Sequence, residues 1–357
     1  MSDSAKILVT GGSGHLGANL VRRLIADGLG GRVRALYRSG SNNSALDGLE
    51  IERVEGDLRD AAAMRRAVAG VDRVYHCAAR LSTVLGGERD IFESNVVGTR
   101  NLLTAAREAG VRKVVVTGSF SAVGHLHDRP SDETVPFYPF EDALPYEFTK
   151  ALVEAECWSA AAAGIDVVVA TSCAILGPHD HKPSRMGEVV LSFARGKLPA
   201  YIPGGFEFVA SRDIVEGHIL AMEKGRSGRK YIFASGYHTL DDLFGHLEEI
   251  TGTPRPRLRL PAPLMGAIAA VTSPIMSRLF PSKPQRITPH AVRLLTMGRR
   301  ADVTRARTEL GFRPTPIKEA LAAAYEDFVR RGLLVPRPRR ALGTAAPVDT
   351  TAREEIR

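Results

Sequence analysis

A chain of 357 residues with 44% hydrophobic and 25% charged side chains has the composition of a globular protein with a sizeable core, either one large α/β domain or a domain with a smaller lobe. The net charge of +8 reads as a solvated surface with its excess spread along the chain, and without a zinc-finger, basic-zipper or RNA-sheet signature it does not point to nucleic acid. Cys77, Cys157 and Cys173, odd in number and without metal-ligand spacing, make a disulfide framework unexpected; with the polar start Met1-Ser2-Asp3-Ser4, from which export is not expected, they suit a reducing cytoplasm.

The first element is the apolar run Ile7-Leu8-Val9, followed by Thr10-Gly11-Gly12-Ser13-Gly14-His15-Leu16-Gly17 and a helical pattern at Leu16, Leu20, Val21 and Leu24. Strand, glycine turn and helix in that order form the context a dinucleotide site requires. Gly11 makes the tight turn, Gly14 admits a pyrophosphate to the backbone, and Gly17 lets helix and strand pack closely, with the phosphates on the helix amino terminus. Gly11, Ser13, Gly14, His15, Leu16 and Gly17 are thus the expected phosphate-binding stretch, against the plain alternative of a glycine-rich loop without a ligand.

Strands follow at 32–37 and 51–54, separated by Ser, Asn and Gly turn residues. No acid ends the second strand, where NAD-preferring folds place the carboxylate that holds the ribose 2′-hydroxyl; Tyr37 and Arg38 stand there instead. An arginine at this point suits a 2′-phosphate, so NADP(H) is expected ahead of NAD(H), the alternative being an ordinary surface arginine. Gly56-Asp57-Leu58 closes the third strand, and a fourth over 71–79 ends in Ala78 and Ala79, small enough to let a dinucleotide lie on the backbone. A helix over 95–103 and a fifth strand over 113–117 complete an alternation that argues for a parallel sheet covered on both faces.

That fifth strand leads into Gly118-Ser119-Phe120-Ser121, at the carboxyl edge where open α/β sheets bind ligands, and Tyr146 and Lys150, four apart, share one face of the helix that starts near Pro145. An ammonium beside a phenol favours the phenolate, so Tyr146 can exchange a proton with a substrate oxygen near neutral pH while Ser119 holds that oxygen. His125, His127, His179 and His181 lie on loops, but no Cys or carboxylate cluster completes a ligand set, so no metal is expected.

With these residues in place the chain resembles the extended branch of the short-chain dehydrogenase/reductase superfamily. The likeness rests on the glycine turn, Gly56-Asp57-Leu58, His76-x-Ala78-Ala79, Asn95-Val96-x-Gly98-Thr99, Ser119 and Tyr146-x-x-x-Lys150, and continues through Gly177-Pro178, Asp213, 302–306 and Glu309-Leu310-Gly311-Phe312-x-Pro314. It implies that Ser119, Tyr146 and Lys150 are catalytic, with Asn95 in support. Lys150 would also contact the nicotinamide ribose and Asp57, with Leu58, the adenine. Ser172 joins the cofactor side, and Leu81, Phe120, Ser121 and His179 the substrate side. Within that branch the chain is most similar to dihydroflavonol reductases, 3β-hydroxysteroid dehydrogenases and hopanoid-associated epimerase-like proteins. Nucleotide-sugar enzymes usually carry Arg-Pro and an Asn before the Gly-Pro, where this chain has Thr171-Ser172-Cys173-Ala174-Ile175-Leu176, a departure that favours a carbonyl reductase.

The expected architecture is a Rossmann-type doubly wound parallel sheet over 5–175, then a smaller mixed α/β substrate-binding lobe over 176–335 from which some segments return to the core, then a disordered tail over 336–357. The lobe should hold helices at 188–195, 240–250 and 317–331 and a strand at 230–233. Its apolar stretch within 261–280, flanked by Arg255, Arg257, Arg259 and Arg278, is too short and proline-interrupted to span a bilayer, and reads as a pocket lid or buried helix or, more sharply, as an interfacial helix in peripheral contact with membrane. The expected activity is NADP-dependent hydride transfer to or from a ketone or secondary alcohol on a mostly apolar small molecule. A nucleotide-sugar epimerase or dehydratase that keeps NAD bound, and a non-catalytic dinucleotide-sensing scaffold, are the rivals. The helices around 95–109 and 146–163 are those that pair in homodimers of resembling proteins.

Overall fold

A computed structural model describes residues 6–81, 87–137, 143–279 and 288–336; the tail expected beyond 336 lies outside these apart from Pro336 itself. The first half of the chain runs β1 (Lys6–Thr10), α1 (His15–Ala26), β2 (Val33–Tyr37), β3 (Glu52–Glu55), α2 (Ala61–Val68), β4 (Val71–His76), α3 (Glu88–Phe92), α4 (Gly98–Glu108), β5 (Lys113–Ser119), α5 (Pro145–Ala162) and β6 (Val167–Ser172). The second half adds β7 (Ala174–Leu176), α6 (Arg185–Ala194), β8 (Ala200–Tyr201), β9 (Gly205–Ala210), α7 (Ser211–Lys224), β10 (Lys230–Phe233), β11 (Gly236–Thr239), α8 (Leu240–Thr251), β12 (Leu258–Arg259), α9 (Ala262–Leu279), α10 (Pro289–Thr296) and α11 (Ile317–Arg330).

Seven strands form one parallel sheet in the order β10-β6-β5-β4-β1-β2-β3. Alternate side chains of each strand reach opposite faces, which is why the central strands read as continuous apolar runs. Ile7 and Val9 of β1 join Val115, Val168 and Ala170 in a core under α1 and α7, whereas Leu8 joins Val114, Val116, Val167 and Val169 under α2, α4 and α5. The chain winds outward from β1 through β2 to β3, then crosses back to β4, so the carboxyl ends of β1 and β4 flank the switch point where such folds bind ligands.

The expected fourth strand to residue 79 stops at His76. Beyond it the Cys77 N–H turns to the Thr10 carbonyl and the Ala78 N–H to the Thr10 hydroxyl, peeling the chain away from the ladder. Inside the expected 95–103 helix, Glu93–Val97 forms a π-turn ahead of α4, a local widening that places Asn95 and Thr99 as described below.

β10 pairs with β6 in the large sheet and α7 packs on it, while β7, β9 and β11 make a separate mixed sheet. That sheet and α6, α8 and α11 share a second core around Phe193, Phe208, Phe244 and Phe328. α6 starts at Arg185, earlier than the expected 188, because Ser184 caps it by accepting from the Gly187 N–H at 3.1 Å. α9 is paired with α10 and leaves one side uncovered, so it is neither a buried helix nor part of the central core.

Candidate active site

The glycine turn is built as its spacing implies. Gly11 takes φ +69°, and a Cβ there would meet the Ala78 backbone at 2.7 Å; a Cβ on Gly17 would stand 2.2 Å from the Gly11 carbonyl. Glycine is therefore obligatory at both places, one for the turn against β4 and one for the approach of α1 to it. No side chain caps Gly14 at the start of α1, which leaves the helix amino terminus to a ligand. Ser13 is partly buried beside it, and Leu16 is buried in the core beneath. His15 turns toward the second lobe, its Nε2 3.1 Å from the Pro178 carbonyl, to which Asn19 also donates at 2.8 Å.

A chain of hydrogen bonds beneath this turn has a single consistent direction. Thr99 donates to the Asn95 carbonyl at 2.6 Å, so its oxygen accepts from His76 Nε2–H at 2.9 Å; His76 Nδ1 then accepts from the Thr10 hydroxyl at 2.7 Å, and Thr10 accepts from the Ala78 N–H at 3.3 Å. Burial holds His76 neutral, its pKa pushed down to about 3. The histidine thus ties β1, β4 and the π-turn together and fixes Ala78 against Gly11.

Ser119 and Ser172 are register partners at the carboxyl ends of β5 and β6. Ser119 shares a 2.8 Å hydrogen bond with Ser121, and Ser172 turns to the Cys173 carbonyl at 2.9 Å. Pro145 opens α5 at its first position, where a missing N–H costs nothing, and Glu147 accepts from the Leu144 N–H at 2.9 Å, so the helix begins with Tyr146 at the sheet edge. The Tyr146 phenol is raised above its ordinary pKa by burial, with the Ser119 side chain, within hydrogen-bonding reach, opposing the shift. The expected lowering by Lys150 is corrected here: the ammonium faces the Thr117 carbonyl at 2.8 Å, and burial decides the phenol's state. Lys150 itself is pushed down to about 8 by burial, partly opposed by Cys157, Cys77 and Glu154.

Asn95 is bonded at both ends of its amide: Oδ1 accepts from the Arg80 N–H at 2.7 Å, and Nδ2 donates to the Arg80 carbonyl at 2.9 Å and to the Thr149 hydroxyl at 3.1 Å. It clamps the strand-β4 exit to α5, next to Tyr146 and Lys150. His218 on α7 was not among the residues expected from sequence. A carbonyl only accepts, so its Nδ1–H donates to Ile214 at 2.7 Å and its Nε2 accepts from the Thr117 hydroxyl at 2.8 Å; burial pushes it down to about 4. Thr117 therefore carries Lys150 on its carbonyl and His218 on its hydroxyl. A lone histidine in the apolar run Ile214, Val215, Ile219, Leu220 reads as core, and nothing in its spacing points to Thr117.

At the other end of the crevice Arg38 is exposed after β2, its Nε donating to Ser41 at 3.3 Å, with no ion pair among the described residues. Asp57 is held bidentately by Arg59 at 2.7 and 3.0 Å, which together with Arg38 keeps it below the usual carboxylate range against partial burial. Leu58 packs beneath, 2.7 Å from where a Gly98 Cβ would stand. Ala79 is exposed beyond the partly buried Ala78.

A small cavity beside Ser121 is lined by the apolar Val123, Phe137, Leu294 and Met297 and by the polar His125, Glu147, His290, Arg293 and Arg299. Phe120 is buried under Arg299, whose guanidinium lies 4.6 Å over its ring and donates to its carbonyl at 2.6 Å. Arg299 Nε and both ring nitrogens of His125 are buried with no partner among the described residues. His179 does not line this cavity; it takes φ +60° and is held by Asp327 of α11, which accepts from its N–H at 3.1 Å. Leu81 is exposed at the last residue before an undescribed stretch.

Residues 7–234 match the NAD dependent epimerase/dehydratase family. The chain is 46% identical to sterol demethylase protein B of Methylococcus capsulatus over 92% of its own length and 99% of that protein, and 34% identical to a putative dihydroflavonol 4-reductase of Synechocystis over 91% and 94%. The crystal structure of gox2253 superposes with a TM-score of 0.80 at 32% identity, covering 93% of this chain and all of that one. With a matching seven-stranded sheet, the chain belongs to the NAD dependent epimerase/dehydratase family of the extended short-chain dehydrogenases/reductases, and is an NAD(P)-dependent oxidoreductase.

Proposed function

We propose that this protein is an NADP-dependent reductase of a ketone, or dehydrogenase of the corresponding secondary alcohol, on a mostly apolar small molecule. The observation that carries the reading is the meeting of Ser119, Tyr146 and Lys150 at one sheet edge, with Ser119 acting on the buried Tyr146 phenol, Lys150 on the Thr117 carbonyl, and the cavity beside Ser121 reached through Glu147, the residue after Tyr146.

The residues fit a dinucleotide. The uncapped start of α1, the Gly11 and Gly17 approaches and small Ala78 and Ala79 support room for a pyrophosphate, and Lys150 and Arg38 are the residues that would hold the nicotinamide ribose and the ribose 2′-phosphate. A bound nicotinamide supplies the hydride; the protein supplies position and the proton. Ser119 orients the substrate oxygen. Tyr146, kept protonated by burial, donates its proton to that oxygen as the carbonyl is reduced, and takes it back in the reverse direction. Lys150, whose ammonium is charged below about pH 8 and rests on the Thr117 carbonyl, supplies a positive charge at the same sheet edge.

The apolar side chains of Val123, Phe137, Leu294 and Met297 support contact with a hydrophobic part of a substrate, and the unpartnered nitrogens of His125 and Arg299, beside Glu147, His290 and Arg293, support a polar end. The names of the relatives, a sterol demethylase component and a dihydroflavonol reductase, are of enzymes on such bodies.

The test is a panel of polycyclic and long-chain ketones with NADPH and NADH, followed at the nicotinamide absorbance. Net NADPH consumption, abolished by Tyr146→Phe with cofactor binding intact, is the expected result. Cofactor that survives purification, with turnover of a nucleotide sugar and no net consumption, would instead make the protein an epimerase or dehydratase. Full turnover by Tyr146→Phe would remove Tyr146 from the chemistry.

A further inference from the structure

The basic excess is concentrated in one segment. Nine of the 48 Lys and Arg residues and none of the 40 Asp and Glu lie between 251 and 301, leaving 39 basic against 40 acidic in the rest of the chain. The even spread expected from composition is thereby corrected: outside this segment the protein is close to neutral.

α9 stands in the middle of that segment and carries no charged residue over 262–277. One side of it is packed, with Met265 and Ala269 buried and Met265 set against Ile202, Val292 and Leu295. Leu264, Ile268, Val271, Ile275 and Leu279, at spacings of four, three, four and four, fall on one stripe of the opposite side, and each is between 42% and 64% exposed. The stripe runs the length of an 18-residue helix, roughly 27 Å. Leu258, 57% exposed, lies just before it. A helix face that meets water carries charges, and this one has none.

The surroundings say what covers it. Arg257 before the helix and Arg278 at its end make no ion pair among the described residues, while Arg255 and Arg259 pair with Glu248 and Asp241. An uncharged apolar crest bordered by cations matches the boundary between acyl chains and anionic headgroups, where aliphatic side chains enter and arginines stay among phosphates. Two copies of this chain meeting face to face would bring two such segments together with no acid on either side to offset them, which disfavours self-association through α9. Among the described residues no helix is long and apolar enough to cross a membrane, so α9 would lie in the surface plane. On its inner side it packs on α10, whose Leu294 lines the cavity beside Ser121, so the membrane-facing helix and the active-site cavity are separated by α10.

We infer that α9 is a docking helix for an anionic bilayer, seated with Leu264, Ile268, Val271, Ile275 and Leu279 below the headgroups. This goes beyond the reaction and stands whether the enzyme reduces a ketone or not.

The test is co-sedimentation of the full chain with phosphatidylcholine vesicles, with and without phosphatidylglycerol, scored without substrate or turnover. Binding should require phosphatidylglycerol and weaken as salt rises. Combined Ile268→Glu, Val271→Glu and Ile275→Glu should lower it by about tenfold or more, with thermal midpoint and NADPH binding unchanged because these side chains are exposed. Arg257→Ser and Arg278→Ser, which leave the apolar stripe whole, should each lower it roughly fivefold. Absence of binding to phosphatidylglycerol vesicles at low salt, or binding indifferent to the glutamates, overturns the inference. So does a concentration-dependent dimer that the same glutamates dissolve, since a second copy would then cover the face.

Discussion

The ammonium of Lys150 donates to the backbone carbonyl of Thr117 at 2.8 Å, and the hydroxyl of the same threonine donates to His218. Lys150 is thus held by the strand that carries Ser119 two residues on, and the threonine is held in turn by a neutral histidine on α7. Positions on β5, α5 and α7 are set against one another without involving a water-exposed group.

Because burial brings Lys150 down to about 8, its charge is the first in the site to change as pH rises, while His76 and His218, at about 3 and 4, stay neutral above pH 5. Reductive kcat/KM should be flat from mildly acidic to neutral pH and fall above pH 8, approaching about tenfold per unit. In Lys150→Arg the falling limb should disappear, whatever the absolute rate. A limb that persists there belongs to another group.

Arg38 should decide between the two cofactors. Arg38→Ala is expected to weaken NADP(H) by about 1.5–3 kcal/mol, the range for a hydrogen bond to a charged group, and to leave NAD(H) nearly unchanged, as read by titration of nicotinamide fluorescence. Equal losses for both would make it a surface charge only.

Gly17→Ala should abolish binding of both cofactors, since its Cβ would lie 2.2 Å from the Gly11 carbonyl and 2.9 Å from Gly12 Cα, all backbone. Gly31→Ala, with open space around it, is the control and should bind normally. Retained affinity in Gly17→Ala would show that the turn can move away from α1 without losing its ligand.

Glu207 in β9 accepts from the Ala301 N–H at 2.8 Å, beside the segment that brings Arg299 to the cavity, and its other oxygen is buried without a partner. Burial raises it to about 7. Between an unfolded value near 4.5 and 7 the folded state holds the extra proton, so stability is greatest below this window and falls as pH rises through about 7. Glu207→Gln, which keeps the acceptor and removes the charge, should raise the thermal midpoint at pH 8, by up to about 3 kcal/mol in stability, and make little difference at pH 4.5. Calorimetric scans across that range check the sign.

The parallel sheet, the glycine turn and the positions of Ser119, Tyr146 and Lys150 were legible because each rests on local pattern. Apolar runs of strand length, glycines whose spacing matches one turn, and a tyrosine and lysine one helical turn apart are properties of adjacent residues. Tyr146 shows where that legibility stops. The pair spacing put a lysine near a phenol, but whether charge or desolvation governs the phenol depends on what surrounds both, and here the Thr117 carbonyl takes the ammonium and burial takes the phenol.

What the sequence by itself determined is the order of elements and the chemistry available at the carboxyl edge, since both follow from local periodicity and residue type. Tertiary structure alone decided that His218 supports Thr117, that Asn95 spends its amide on Arg80 and Thr149, that His179 belongs to Asp327 of α11 rather than to the cavity, and that α9 is left uncovered. Each of these joins residues tens to more than a hundred positions apart or depends on which side of a helix meets a partner, and such contacts are set by packing, which no local pattern encodes.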